Sequence, residues 1–470
     1  MNLLVAAIFG YIGLQLLIGI VVSRRIRTED DYLLAGRRLG PSLATFSIFA
    51  TWFGAETCIG AAGAVYEGGL SAARADPFGY ALCIVILAGV LAVPLWRAKI
   101  TTLGDLFRRR YSPNVERFAV LLMIPTSILW AGAQVRAFGQ VLASSSDGIS
   151  VEAGIAVAAV TVLVYTTVGG LLADAWTDLV QGIVLTVGLV VLAMIVVDDL
   201  GGVAPALSGI DPALWAWGAP GESPLDVANR WAIPILGSLT AQELVARVVA
   251  CRSPEVARRS AWMASGFYLG IGVIPVLLGL LATQLPLQVT DTEHVLPALA
   301  GAHLPTLGYV LFLGALVSAI LSTVDSCLLV SGSLISHNLV QARLPSLSER
   351  GKLRAARLGV VGSGVIAWWL ALTSDSVLGL VEEASGFGSA GVLVLVVFAL
   401  RSRLGGPAAA NAALASGVLV WVAAHFVLAM PGDYLASLAA ALGAYLLTAA
   451  LEARSARMLS GAERGRADAR

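Results

Sequence analysis

ATWFGAET, residues 50–57, lies near the middle of an apolar run that extends from Pro41 to Gly68. The run is long enough to cross the hydrocarbon core of a bilayer, which is about 30 Å thick. A charge such as that of Glu56 at this depth costs about 2.5–3.5 kcal/mol on insertion scales. The stretch therefore predicts a special position in a membrane helix, at which something offsets that cost.

The whole chain has the composition of a polytopic membrane protein. Of its 470 residues 58% are hydrophobic and only 13% are charged, whereas about 25% of residues are charged in an average soluble domain. The first apolar run lacks a basic leader and a cleavage site, so we expect a retained helix rather than a signal peptide. We predict an all-α protein with about 13 transmembrane spans, at 3–23, 42–68, 72–96, 114–144, 150–171, 175–199, 228–250, 260–284, 305–341, 353–374, 377–400, 406–429 and 432–452.

Basic residues collect on one side of the membrane when the loops are assigned to alternate sides. Most of the 30 lysines and arginines lie in the loops after spans one, three, seven, nine and eleven and in the C-terminal tail. By the positive-inside rule this side is cytoplasmic. An odd number of spans then places the N-terminus outside and the C-terminus in the cytoplasm. We refer below to the basic side and the opposite side.

Spans two and seven contain residues that interrupt helices. Span two holds ATWFGAET, and span seven reads WAIPILGSLTAQELVARVV, with Pro234 and Gly237 ahead of Gln242 and Glu243. Breaks persist in lipid only where they face protein or a wet cavity. Helix packing would explain any single small residue. Paired breaks with embedded carboxylates instead favour the substrate site of a secondary transporter.

The two breaks are five spans apart, which divides the chain into two repeats of five spans. Because five is odd, the repeats are inverted relative to each other in the membrane. We therefore predict one transporter domain over 1–470, composed of a leading helix at 3–23, inverted repeats at 42–199 and 228–400, two accessory helices within 404–452 and a cytoplasmic tail at 453–470.

Span nine offers oxygen ligands for a cation. Its sequence brings Ser322, Thr323, Asp325 and Ser326 within five residues. A lone hydroxyl in a helix ordinarily bonds the carbonyl four residues earlier, but Asp325 needs a partner at that depth. Asp178 in span six is the partner that we expect.

Several of these motifs, in order along the chain, resemble those of the sodium:solute symporter family. The resemblance implies the LeuT-like five-plus-five inverted-repeat fold with broken helices and a leading extra helix. It also implies Na⁺ as the co-transported ion. The motifs are FATWFGAET (49–57), TLGDLFRRRYS (102–112), YTTVGGLLADA (165–175), DAWTDLVQG (174–182) and GALVSAILSTVDSCLL (314–329).

The resemblance further implies a sodium site between spans two and nine. Its ligands would be the backbone carbonyls of Ala50, Phe53 and Ala319 and the hydroxyls of Ser322 and Thr323. The break in span two would then free carbonyl groups to hold a cation.

Some members of the family resemble one another in a second sodium site as well. Here its positions would be Asp178, Ser322, Asp325 and Ser326, and an aspartate at 325 is a variation on the pattern. We hypothesise that this site takes a second cation, which is sodium or a proton.

Three aromatic residues match positions of the choline-transporting branch of the family. Trp52, Tyr80 and Trp130 would surround a quaternary ammonium by cation–π attraction. A fourth aromatic of that cage is replaced by Ala241, which is a departure from the choline pattern. For each tryptophan taken alone, core or interfacial packing is the simpler explanation.

Glu56, Arg136 and Gln242 complete the predicted substrate site. Arg136 lies about 9 Å beyond Trp130 along its helix, at 1.5 Å per residue. Glu56 and Arg136 either pair with each other as an outer gate or hold the amine and the carboxylate of a substrate, which would suit an amino acid or a betaine.

We therefore predict a sodium-coupled secondary active symporter that imports a small organic solute, an amino acid, betaine or choline-like compound, by alternating access. The alternative is a transporter-like membrane sensor or scaffold that binds a solute without net transport. No HExxH or GxSxG motif indicates a membrane enzyme. We expect no organic cofactor and no nucleic-acid partner. The excess of arginine over lysine suggests a high-GC bacterial genome, and hence an inner membrane. We expect the carrier to act as a monomer.

Overall fold

A computed structural model describes residues 26–144, 148–287, 289, 291–374 and 376–468, together with isolated positions before residue 26. The predicted leading span at 3–23 lies outside these residues except for such isolated positions. The described chain is built from helices, and its recorded β-bridge joins Leu39 to Cys251.

The first half of the described chain contains nine α-helices, with short 3₁₀ and π segments between several of them. They are α1 (Glu29–Leu34), α2 (Pro41–Ala50), α3 (Ala61–Gly68), α4 (Tyr80–Ile86), α5 (Ala92–Arg97), α6 (Leu103–Arg110), α7 (Pro113–Ser144), α8 (Val151–Asp199) and α9 (Val203–Ser208).

The second half begins with span seven, the other broken span, and ends with a long helix near the C-terminus. Its α-helices are α10 (Pro224–Ala232), α11 (Gln242–Val249), α12 (Pro254–Ala282), α13 (Val295–His303), α14 (Thr306–Ser333), α15 (Gln341–Arg343), α16 (Glu349–Thr373), α17 (Val377–Gly386), α18 (Ser389–Arg401), α19 (Pro407–Val422) and α20 (Asp433–Asp468).

Eight stretches of described helix are long and apolar enough to cross a membrane, and two bent helix pairs raise this number to ten if each pair is one span. The chain is therefore an all-α, multi-pass membrane protein. The sequence predicted thirteen spans. The span at 3–23 lies outside the described residues, spans two and three run together over Glu56–Arg97, and the apolar helix Val151–Val164 is shorter than a full span.

Span two is broken where the sequence predicted it. Helix α2 ends at Ala50, and a π-helical turn begins at Glu56 before α3. Span seven is broken as well, because Pro224–Thr240 and Gln242–Val249 meet at 46°. A third bend, which the sequence analysis missed, separates α17 from α18 by 43° next to Gly388, whose φ of 67° is left-handed.

The helix that carries the predicted sodium ligands lies in the interior of the protein. Every residue of α14 from Phe312 to Ser333 is buried. Small residues allow close helix packing around it: a Cβ on Gly332 would lie 2.8 Å from the carbonyl oxygen of Ala356 in α16. The polar side chains of α14 therefore face protein rather than lipid.

Candidate functional site

The structure brings three of the five predicted sodium ligands together. The hydroxyl oxygen of Thr323 lies 3.4 Å from the carbonyl oxygen of Ala50 and 3.3 Å from that of Ala319. Phe53 lies within the same break, with its ring stacked on Phe49 at 4.6 Å. The Ser322 hydroxyl donates instead to Asp178.

Gly54 allows span nine to approach the break in span two. A Cβ at this position would lie 2.7 Å from the Thr323 hydroxyl, 2.8 Å from the Gln134 carbonyl oxygen and 3.2 Å from a carboxylate oxygen of Glu56. Two of the three distances are below 3.0 Å, so an added methyl group would have to displace the side chains of Thr323 and Gln134. The absence of a Cβ therefore places a hydroxyl, an amide and a carboxylate around one backbone position.

Gln134 holds the far side of the break. Its carbonyl oxygen accepts the Ala55 N–H at 3.0 Å, and its amide nitrogen donates to the Glu56 carboxylate. The sequence analysis did not identify Gln134. The available signal was its spacing from Trp130, because residues four apart lie on the same face of a helix.

The predicted second cation site is divided in the structure. Asp178 meets Ser322, whereas the Ser326 hydroxyl lies 3.1 Å from Asp174 and accepts from Arg247. Both carboxylate oxygens of Asp325 are buried and have no hydrogen-bond partner among the described residues. Asp325 therefore makes no direct hydrogen bond to Asp178, and the partnership expected between the two residues stays a prediction.

Arg247 and Asp174 form an ion pair in which both side chains are fully buried. Neither was identified from the sequence. The available signal was a basic residue inside the apolar span seven and one more aspartate in the DAWTDLVQG motif. A guanidinium group thus lies beside a set of buried carboxylates, where a mobile cation alone had been expected.

The three predicted aromatic residues form one cluster, which we call the cage. The ring centroids of Trp52 and Trp130 are 5.7 Å apart with nearly parallel planes, and those of Trp52 and Tyr80 are 5.4 Å apart. Tyr80 and Trp130 close the triangle at 5.8 Å. All three side chains are buried. Rings that face each other at this spacing offer π surfaces to a cationic group.

Hydroxyl groups connect the cage to the other broken spans. The Tyr80 hydroxyl lies 3.1 Å from that of Ser385 in α17, which accepts from Ser238 next to the break in span seven at 3.0 Å. Gln242 was predicted to bind substrate, but its carbonyl oxygen accepts the Leu103 N–H at 2.8 Å. The Gln242 side chain is therefore held toward α6 on the basic side.

Arg136 pairs with Glu293 rather than Glu56 in the described part of the chain. Its Nε lies 3.9 Å from a Glu293 oxygen, and the other Glu293 oxygen accepts the Val377 N–H at 2.7 Å. Arg136 is two residues beyond Gln134 on α7 and so lies on another face of that helix, where it meets the loop on the opposite side. The predicted Glu56–Arg136 gate pair is replaced by this contact.

Two cavities approach the cage from its two sides. On the opposite side, a cavity of about 230 Å³ is lined by Tyr80 together with Asn229, Arg230, Glu382 and Asp433. On the basic side, a smaller cavity is lined by Trp130, Ser238, Ala241, Gln242, Glu243 and Ser385. The cage therefore separates two openings.

Comparisons with known proteins identify the family of the chain. A model of the sodium:solute symporter family matches residues 32–419. The chain is 27% identical over 410 residues to the high-affinity choline transporter 1 of Caenorhabditis elegans, with 80% of this chain and 70% of that protein covered. It is 27% identical over 463 residues to the high-affinity proline transporter PutP of Bacillus subtilis, with 93% and 96% covered.

A solved structure shows the same fold. The Na⁺-coupled sialic acid symporter in a substrate-bound, outward-open state superimposes with a TM-score of 0.83 at 20% identity, covering 96% of this chain and 98% of that one. The family match spans most of the sequence, and the described chain contains interrupted helices, as many secondary carriers do. This chain belongs to the sodium:solute symporter family.

Proposed function

We propose that this protein is a sodium-coupled symporter that imports a small organic solute bearing an ammonium group. The observation that carries the proposal is the meeting of Thr323 and Ala50 beside an aromatic cage at the break in span two. Carbonyl and hydroxyl oxygens suit a hard cation such as Na⁺. The ion and the solute would bind to the same interrupted helix, which couples their movements.

The proposed sodium ligands are the carbonyls of Ala50, Phe53 and Ala319 and the hydroxyls of Ser322 and Thr323. We propose Asp178 as the centre of a second cation site, in which the Ser322 hydroxyl already meets its carboxylate. The described geometry supports the pair Asp178–Ser322 more than Ser326, which is held by Asp174 and Arg247.

The proposed solute site is the cage of Trp52, Tyr80 and Trp130 together with Glu56. Relatives named as choline and proline transporters indicate the same chemistry, since both named substrates carry a substituted nitrogen with a positive charge. Cation–π attraction from three rings and one buried carboxylate would hold that charge in a dry site.

The proposed setting is a bacterial inner membrane, with the basic side in the cytoplasm and the protein acting as a single chain. The N-terminus would then be outside and the C-terminus inside. One charge that crosses about 150 mV supplies roughly 3.5 kcal/mol, and a tenfold sodium gradient adds about 1.4 kcal/mol. Together they sustain more than a thousandfold accumulation of a neutral solute.

A thermal-shift screen of the purified protein tests the proposal. Amino acids, betaines, choline, sugars and carboxylates would each be added in sodium and in potassium buffer. We expect an ammonium-bearing solute to raise the unfolding temperature only in sodium. Uptake of that solute into proteoliposomes with an inward sodium gradient then separates transport from solute sensing, because a sensor would bind without accumulation.

A further inference from the structure

We infer that Glu56 selects a solute whose cationic group carries N–H bonds and that lacks a carboxylate: a protonated primary or secondary amine, rather than a quaternary ammonium or a zwitterion. The inference rests on the proposed function, because it specifies the solute that the cage would hold.

The first observation is an unpaired oxygen on a fully buried carboxylate. Glu56 has no solvent exposure. One of its oxygens accepts from Gln134, which is itself fixed by the Ala55 N–H. The other oxygen, Oε1, has no hydrogen-bond partner among the described residues. The Trp130 indole N–H, a buried donor that likewise has no hydrogen-bond partner among these residues, is a close neighbour of this carboxylate, which places Glu56 at the edge of the cage.

A second buried carboxylate lies beside the first. Asp76 accepts from the Thr57 hydroxyl at 2.7 Å, and the Tyr268 hydroxyl lies 3.2 Å from both of its oxygens. The same Tyr268 hydroxyl lies 3.2 Å from the carbonyl oxygen of Trp52. Asp76 is therefore satisfied and anchored to the cage backbone. Among the described residues, neither Asp76 nor Glu56 is in an ion pair with a basic side chain.

The basic side chains nearest to this region already have carboxylate partners. Arg136 Nε lies 3.9 Å from Glu293, Arg230 shares the carboxylate of Glu222 with Arg74, and Arg247 is paired with Asp174. A substrate carboxylate would therefore meet two acidic side chains beside the cage and would have to compete with Glu293 or Glu222 for an arginine. A solute with net positive charge avoids both penalties.

The unpaired Oε1 then distinguishes between kinds of organic cation. A quaternary ammonium presents only methyl groups, so it would bury this acceptor without a donor. A protonated amine donates an N–H to it in a charge-assisted hydrogen bond and still presents its positive charge to the rings.

Matched ligand pairs test this inference. Ethanolamine would be compared with choline, and glycine with glycine betaine and with methylamine, by thermal shift in sodium and in potassium. The proteins would be the wild type, Glu56→Gln and Glu67→Gln, an exposed glutamate of the same span. We expect the carboxylate-free amines to half-saturate the wild type and Glu67→Gln at concentrations at least tenfold lower than their methylated or zwitterionic counterparts.

Glu56→Gln should lose that preference while sodium alone still stabilises it, which shows that the variant folds and binds the ion. Choline or a zwitterion that binds the wild type as tightly as the amines would overturn the inference and leave the proposed function standing. The inference would also be overturned if Glu56→Gln still bound the carboxylate-free amines more tightly than their counterparts. If none of these solutes stabilises the wild type in a sodium-dependent way, the result counts against the proposed function itself.

Discussion

The hydroxyl oxygen of Thr323 lies 3.4 Å from the carbonyl oxygen of Ala50, so that a continuous helix meets a broken one through a pair of oxygen atoms. The two residues are far apart in sequence and belong to the two predicted repeats. A cation between them would hold the repeats in one relative position. Its loss would remove that restraint, which is how ion binding could control access to the cage.

Replacement of Thr323 by alanine removes a ligand oxygen of the proposed sodium site without changing the helix. We expect the sodium concentration that half-saturates transport to rise about ten- to a hundredfold, the range for the loss of one hydrogen-bonding group to a charge. Thr323→Ser should retain wild-type behaviour. Thr186→Ala is the matched control, because Thr186 donates to the Gly182 carbonyl of its own helix. Equal sodium dependence in Thr323→Ala and the wild type would contradict the site.

Gly54→Ala should disturb sodium and solute binding together. The added methyl group would lie 2.7 Å from the Thr323 hydroxyl and 2.8 Å from the Gln134 oxygen. We expect at least a tenfold loss in the affinities for both ligands, which is about 1.4 kcal/mol for each. Gly314→Ala in α14 is the control, since nothing lies within 4 Å of a Cβ there. Thermal shift with sodium, with and without solute, separates the two effects.

Trp130→Leu tests the cage while keeping an apolar side chain. The loss of one cation–π partner should weaken solute binding by about 2- to 30-fold, equivalent to roughly 0.5–2 kcal/mol. Sodium binding should change less, because Trp130 contributes no oxygen to that site. Trp369→Leu serves as the control, since Trp369 is 59% exposed on the apolar surface. Identical solute affinity in Trp130→Leu and the wild type would rule out the cage.

Arg247→Gln should destabilise the protein strongly. It leaves Asp174 as an uncompensated buried charge, for which about 3–5 kcal/mol is typical. The double variant Arg247→Gln/Asp174→Asn should recover part of that loss, because it removes the orphaned carboxylate. The unfolding temperatures of these two variants, compared with that of the exposed control Arg350→Gln, test whether the double variant recovers stability. No recovery in the double variant would show that Arg247 acts on other carboxylates, such as Asp178 or Asp325.

The ion pair between Arg74 and Glu222 gives a pH-dependent prediction. The two side chains are only 2% and 7% exposed, and the Arg74 hydrogen bonds lower the pKa of Glu222 below its usual value. A carboxyl group with a lowered pKa stabilises the folded state above its unfolded pKa, and this contribution is lost as the pH falls through the folded pKa. The wild type should therefore unfold at a higher temperature than Glu222→Gln at pH 7.

The difference in unfolding temperature between the wild type and Glu222→Gln should shrink as the pH is lowered below about 4.5, the usual pKa of a glutamate. A thermal-unfolding series between pH 7 and pH 3.5 measures it. If the difference in unfolding temperature stayed constant over this range, the charge of the Arg74–Glu222 pair would not contribute to the stability of the folded state.

Local sequence patterns predicted the breaks in spans two and seven. Proline, glycine and polar residues within an apolar run indicate a break wherever they occur. The bend beside Gly388 was not predicted because the residues around it are apolar or small, and a glycine with left-handed backbone angles leaves no periodic pattern in the sequence. The cage positions were predicted only through the family resemblance, since a tryptophan in a span usually packs against lipid or core.

The errors at the site concern partners rather than positions. Glu56 and Asp325 were correctly identified as buried charges and Arg136 as a partly buried one, but their surroundings come from other helices. Gln134, rather than Arg136, contacts Glu56. The partner of Arg136 is Glu293, which lies in a loop whose path the sequence does not specify. Long-range pairing depends on how the helices pack, and one residue of rotation about a helix axis changes every such contact.

The cage lies between two cavities and is one layer of aromatic side chains thick. Tyr80 faces the cavity on one side and Trp130 the cavity on the other, and their centroids are 5.8 Å apart. A carrier with so thin a barrier needs little travel to expose its cargo to either compartment. Such a barrier also gives little protection against uncoupled ion flow. If both rings moved aside at once, sodium would flow down its gradient without solute, and the free energy of the gradient would be lost as heat.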